Sequence, residues 1–145
     1  MGIVNFFNKE EKSKIIQAIQ NAEKETSGEI RVHLESRCKG EALTRAVQLF
    51  QKLKMHETQL HNGTLIYLAV KDHKFAIFGD EGINEIVPEN FWEDVKEEMH
   101  RSFTNDEFVE GIVHGINMVG EKLKEFFPYQ DDDVNELPDD ISMGE

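Results

Sequence analysis

Residues 61–84 read HNGTLIYLAVKDHKFAIFGDEGIN, and this stretch decides the fold. Thr64–Val70 is a nearly unbroken apolar, β-prone run, the pattern of a central strand buried on both faces. Asp72-His73 separates it from Lys74–Phe78, a second short β-prone run, so the two read as a hairpin. Gly79-Asp80-Glu81-Gly82 then breaks the strand, and Asn62-Gly63 closes the polar loop Met55–Asn62 ahead of it.

Upstream, Asn8 is placed to cap a helix over about Lys9–Thr26, with Ile15, Ile19 and Ala22 at helical spacing and Gly28 as a left-handed stop. Glu29–Glu35 alternates: Ile30, Val32 and Leu34 share one face, Arg31, His33 and Glu35 the other, as in a half-buried strand. A second helix over about Glu41–Lys54 carries Leu43, Ala46, Val47, Phe50 and Leu53 as its apolar stripe. Downstream, a short helix is expected at about Glu81–Val87. Pro88 opens the next, with Phe91, Trp92, Val95 and Met99 facing inward. Thr104 or Asn105 caps a last helix whose stripe runs from Phe108 to Phe126, and Pro128 ends it. The order α-β-α-β-β-α-α predicts a Rossmann-like three-layer α/β sandwich. Its small mixed sheet has two parallel strands plus an antiparallel hairpin strand, with helices on both faces.

That topology has a consequence for chemistry. The two strands joined by a helix run parallel and the third turns back, so the start of the second lies beside the end of the third. With the first strand on the second, Glu29, Asn62, Asp80 and Glu81 gather at one edge of the sheet. Oxygen ligands on glycine-containing turns suit a hard divalent cation, calcium before magnesium. The plainer reading is that turns need Gly, Asn and Asp for their own geometry.

SGEIRVHLE, NGTLIYLAV, KFAIFGDEGINEIVP and FTNDEFVEGIVHGINMVGEKL, taken in succession, resemble the motifs of the TPM domain family over about Ala22–Phe127. The resemblance implies a Rossmann-like sandwich with a divalent-cation site near acidic loops, and a disputed phosphatase activity. By position, Asn62 and Gly63 match the loop before the family's central strand, Asp80 and Glu81 its glycine-acid turn, and Glu107 an acid near the start of the last helix. The turn here reads GDEGI where members commonly carry an aromatic and a second glycine.

Other chemistries find little in the chain. Cys38 and Arg45 in RCKGEALTR have six intervening residues where cysteine phosphatases have five, and the loop holds one glycine, Gly40. A free thiol on a loop is the ordinary reading. The six histidines include no helical His-x-x-x-His pair, so a zinc site is not expected. Neither Asp131, Asp133 and Asn135 nor a frame beginning at Asp80 completes an EF-hand loop.

At 145 residues the chain suits one domain, which buries roughly 68–70% of its unfolded surface. Residues 1–128 are read as that domain and 129–145 as a disordered acidic tail. Net charge is −13, of which seven acids fall in 129–145 with no base. Nucleic acid is thus an unsuitable partner, while cations and basic protein partners are favoured. One cysteine excludes an intrachain disulfide, and no signal peptide or membrane-spanning run is read, so a soluble cytoplasmic monomer is expected. The reading that follows is a divalent-cation-binding module with ligands among Asp80, Glu81, Asn62, Glu29 and Glu107. The alternative is a metal-assisted phosphatase acting on phosphomonoesters.

Overall fold

The computed structural model describes residues 6–129 and 141–143. Helix α1 (Lys9–Glu23) opens with a full capping box, in which the Asn8 side chain accepts from the Glu11 amide and Glu11 returns the bond to the Asn8 amide. Its inner face buries Ile15, Ala18 and Ile19. Fully burying an Ile contributes about 1.5–3 kcal/mol, so these residues and not intrinsic propensity hold the helix.

Strand β1 (Glu29–Glu35) runs parallel to β2 (Gly63–Ala69), with Glu29 opposite Gly63 and Glu35 opposite Ala69. Strand β3 (Lys74–Gly79) is antiparallel to β2, with Thr64 opposite Gly79. His73, with φ of 55°, closes the hairpin. Helix α2 (Ala42–Lys52) joins β1 to β2 through a 3-10 turn at Met55–Glu57. After β3 come the single turn α3 (Glu81–Asn84), then α4 (Phe91–Thr104) and α5 (Phe108–Phe126). The strand order is β3-β2-β1-β4, where β4 (Ser142–Met143) lies parallel to β1 opposite His33 and Leu34.

The expected mixed sheet between two helical layers is therefore present, with one strand more than the sequence suggested. Ile30, Val32, Leu34, Ile66, Leu68, Val70 and Ile77 pack under α1, α4 and α5. Leu65, Tyr67, Ala69 and Ala76 pack on the other face under Ala46, Leu49 and Phe50 of α2 and beside Met55. Helix α5 reaches its neighbours closely because it is small where they touch: a Cβ on Gly115 would lie 2.6 Å from Met99 Sδ.

Several local expectations are corrected. Helix α1 stops at Glu23, and Thr26 instead bridges to Pro128. Gly28 is not left-handed; it is small because Leu123 packs where its Cβ would be, at 2.9 Å. Leu43 is 50% exposed, and the buried residues of α2 are Ala46, Leu49 and Phe50. Pro88 precedes α4 in a turn, with the Phe91 amide bonded to its carbonyl. Thr104 ends α4, and Glu107 occupies the cap position of α5 without a side-chain bond. Most of the expected disordered tail, 130–140 and 144–145, lies outside the described residues. Of its other residues, Ile141 is buried in the main core and Ser142 and Met143 pair with β1.

Candidate functional site

The register brings four of the five expected ligand residues to one edge. The Glu29 amide donates to the Asn62 carbonyl at 3.2 Å, and the Asp80 amide donates to the Gly63 carbonyl at 3.0 Å. The starts of β1 and β2 and the end of β3 thus lie side by side. Glu29, Asn62 and Asp80 are 3%, 2% and 9% exposed, while Glu81 is exposed in the first turn of α3. Glu107 is not brought there. It begins α5 at the other end of the sheet, where the adjoining Phe108 ring stands 6.2 Å from the ring of His73 in the hairpin turn.

Much of this edge has a structural explanation. Asp80 caps α3, its Oδ1 accepting from the Glu81 amide at 2.8 Å, and its Oδ2 faces His61 Nδ1 at 3.4 Å. The Gly82 amide donates to the His61 carbonyl at 2.9 Å, folding the turn back onto the loop before β2. Among the described residues, no three His, Cys, Asp or Glu side chains are grouped to hold a metal ion. A cage of carboxylates is thus not formed.

A mixed oxygen set is a different matter. Asn62 Nδ2, Thr58 Oγ1 and Thr64 Oγ1 are buried and make no hydrogen bond to protein. Buried polar groups are normally satisfied, so three such groups within seven residues of one another need an explanation. The O and N of an amide are assigned from its partners, so a turned Asn62 offers its oxygen instead. Glu29, Asp80, the Asn62 amide and these hydroxyls are hard donors of the kind calcium accepts.

A second polar cluster, missed by the sequence reading, lies on the face of β1 expected to meet solvent. His33 and Glu35 are 4% and 5% exposed. His33 Nε2 lies 3.2 Å from Glu35 Oε1, and Nδ1 lies 2.9 Å from Ser142 Oγ. Arg45 of α2 donates to the same Glu35 oxygen from Nε at 2.8 Å and Nη2 at 2.7 Å. The Tyr67 ring stacks beside His33, with centroids 6.1 Å apart. The signal was available: a helix joining parallel strands covers one face of the sheet, and the remaining helices need the other. The polar face of β1 therefore could not stay open.

Burial holds the His33 pKa below its ordinary value, with Arg45 and Arg31 acting in the same direction and Glu35 opposing. The neutral ring then donates from Nε2 to the carboxylate and accepts at Nδ1 from the Ser142 hydroxyl. A histidine whose folded pKa is depressed contributes stability above its unfolded pKa, near 6.5, and loses it as pH falls. Urea melts should therefore show stability declining below about pH 6.5, with a shallower slope in His33→Asn. Equal slopes for the two proteins would remove His33 from the acid response.

At the carboxyl end of β1 the Arg37–Gly40 loop is clamped to the hairpin. Asp72 accepts from the Cys38 amide at 2.7 Å and from Arg37 at 2.9 Å, and the Cys38 amide chiefly holds its pKa below the carboxylate range. Lys74 Nζ donates to the carbonyls of Cys38 and Gly40, each at 2.9 Å. Cys38 is buried and its thiol faces the Gly40 carbonyl at 3.5 Å, the placement of a packed thiol and not of an exposed nucleophile.

The model of a family described as the TPM domain matches residues 4–122. The NMR structure of the BA42 protein from the psychrophilic bacterium Bizionia argentinensis is similar at 45% identity and a TM-score of 0.91, covering 98% of each chain. The N-terminal domain of a P. gingivalis protein shares the fold at 15% identity and a TM-score of 0.70, over 86% of this chain and 81% of that one. An N-terminal domain from Corynebacterium glutamicum does so at 14% identity and a TM-score of 0.67, over 83% and 76%. No curated protein matches the chain.

Proposed function

The chain belongs to the TPM domain family, and from that premise we propose that it is a binding module for a divalent cation, calcium before magnesium. The cation sits at the edge formed by Glu29, Asn62, Asp80 and Glu81. The observation that carries this reading is the coincidence of buried carboxylates with the unsatisfied side chains of Asn62, Thr58 and Thr64 at one sheet edge. Glu107 is left out of the ligand set because of its place at the opposite end. With few carboxylates, affinity falls in the weak range, about 10⁻⁴–10⁻³ M.

The phosphatase alternative has less support. A phosphate dianion needs cationic or amide donors near the metal, whereas Arg37, Lys71 and Lys74 lie at the carboxyl ends of β1 and β2. Over the seven residues of β2 this separation is about 20 Å. Among the described residues no helix is long and apolar enough to cross a membrane. A cytoplasmic monomer that meets a protein partner fits the single cysteine and the acidic surface.

Titrating calcium and then magnesium into labelled protein, with backbone amide shifts as the readout, tests the site. Saturable shifts are expected at Gly28–Glu29, Asn62–Gly63 and Gly79–Gly82. Silence at these positions at millimolar cation, or shifts confined to 131–140, would remove the site.

A further inference from the structure

The Asp80 amide bonds to the Gly63 carbonyl, and in an antiparallel pair such bonds recur at every second residue. Ala76 and Phe78 therefore direct their amides and carbonyls to β2, while Phe75, Ile77 and Gly79 direct theirs away from it. The Gly79 carbonyl is met on that outer side by Asn84 Nδ2 at 2.9 Å, as the alternation requires, and Trp92 Nε1 holds Asn84 at 2.8 Å. Among the described residues no strand pairs with this side, since β3 ends the order β3-β2-β1-β4.

Beside β3 lies a groove of about 570 Å³, floored by Lys74–Gly79. Leu43 at the start of α2 walls one side and Trp92 of α4 the other. Leu43 is 50% exposed there. At the opposite edge of the sheet, Ser142 and Met143 already lie along β1 as an added strand. An unpaired edge between apolar walls suits an extended chain, whose backbone supplies partners for Phe75 and Ile77. Ile77 packs in the main core beneath α4 and Ala76 under α2, so successive side chains of an added strand meet Trp92 and Leu43 in turn.

Charge selects among such chains. In the groove Lys74 is bound to the carbonyls of Cys38 and Gly40, and Lys96 and Glu93 pair at 3.6 Å. The exposed carboxylate of Glu41 is left to meet a cation. The net charge of −13 likewise repels a second copy of this chain and attracts a basic segment. We propose that β3 binds an extended segment of a basic partner protein by strand addition, with successive apolar side chains flanked by lysine or arginine. The site stands independently of the cation edge.

The probe is the blocked peptide Lys-Lys-Val-Phe-Val-Thr-Lys-Lys, titrated into the labelled full chain at constant ionic strength without added cation. In the free protein the amides of Phe75 and Ile77 should exchange with deuterium quickly, and those of Ala76 and Phe78 slowly. The peptide should give saturable shifts along Lys74–Gly79 and slow exchange at Phe75 and Ile77 about tenfold. Glutamate in place of the four peptide lysines should weaken binding about tenfold. Leu43→Ser, at an exposed position, should weaken it severalfold. Silence at millimolar peptide, shifts without slowed exchange at Phe75 and Ile77, or undiminished binding of the acidic peptide or by Leu43→Ser overturns the site. Dimerisation that protects Phe75 and Ile77 before peptide is added gives the edge to a second copy and overturns it too.

Discussion

Replacing Gly82 with alanine is expected to destabilise the protein by about 3 kcal/mol, the upper range for an overpacked site. The added Cβ would lie 2.4 Å from the Leu60 carbonyl oxygen and 2.5 Å from that of His61. Both are backbone atoms, so no side chain can swing aside to relieve the contact. Relief requires moving the loop before β2 or breaking the 2.9 Å bond from the Gly82 amide to His61. For a domain of this size the loss corresponds to a fall in Tm of about 6–12 °C. Gly40→Ala is the control, because a Cβ there meets nothing within 4 Å and its φ is not positive. A Gly82→Ala protein melting within a degree or so of the parent would show that the loop yields freely. The edge that carries Asn62 and Asp80 would then be less rigid than its hydrogen bonds indicate.

The second large effect is at Glu35. Removing its carboxylate in Glu35→Ala strips the acceptor from Arg45 and from His33 Nε2 at once. Breaking a fully buried ion pair costs about 3–5 kcal/mol, most of it from the charge left behind. The Arg45 side chain is 35% exposed and can rehydrate, so the expected loss is about 2–3 kcal/mol. Glu35→Gln keeps one oxygen acceptor and should lose about half as much. Arg45→Met added to Glu35→Ala should recover stability, since no charge is then stranded. Denaturant melts of the four proteins decide the matter. If Glu35→Ala is as stable as the parent, the cluster is incidental to folding.

Which parts of this molecule could be read in advance follows from the range of the interactions concerned. The hairpin, the parallel pair and the face each apolar residue takes depend on period and on short connections. The alternation of Ile30, Val32 and Leu34 and the run Thr64–Val70 therefore sufficed for the sheet. The gathering of Glu29, Asn62 and Asp80 followed from strand direction alone. Glu107 was misplaced because its assignment came from likeness of motif; the direction in which α5 crosses the sheet puts it at the far end.

Residues of β1 show the other limit. Arg31, His33 and Glu35 alternate with apolar neighbours just as solvent-facing residues do, and only the helix packed over them makes that face interior. Whether a polar side chain is solvated or buried depends on a partner distant in sequence, here Arg45 from α2 and Ser142 from β4. Strand β4 has two residues in an acidic stretch with no period to detect, and its place comes from Ile141 entering the core and pairing with β1. The sequence by itself determined the layers, the strand directions and the acidic edge, since those follow from local pattern and chain connectivity. The buried ion cluster, the fourth strand and the groove beside β3 were decided by the tertiary structure, because each is made by groups that only packing brings together.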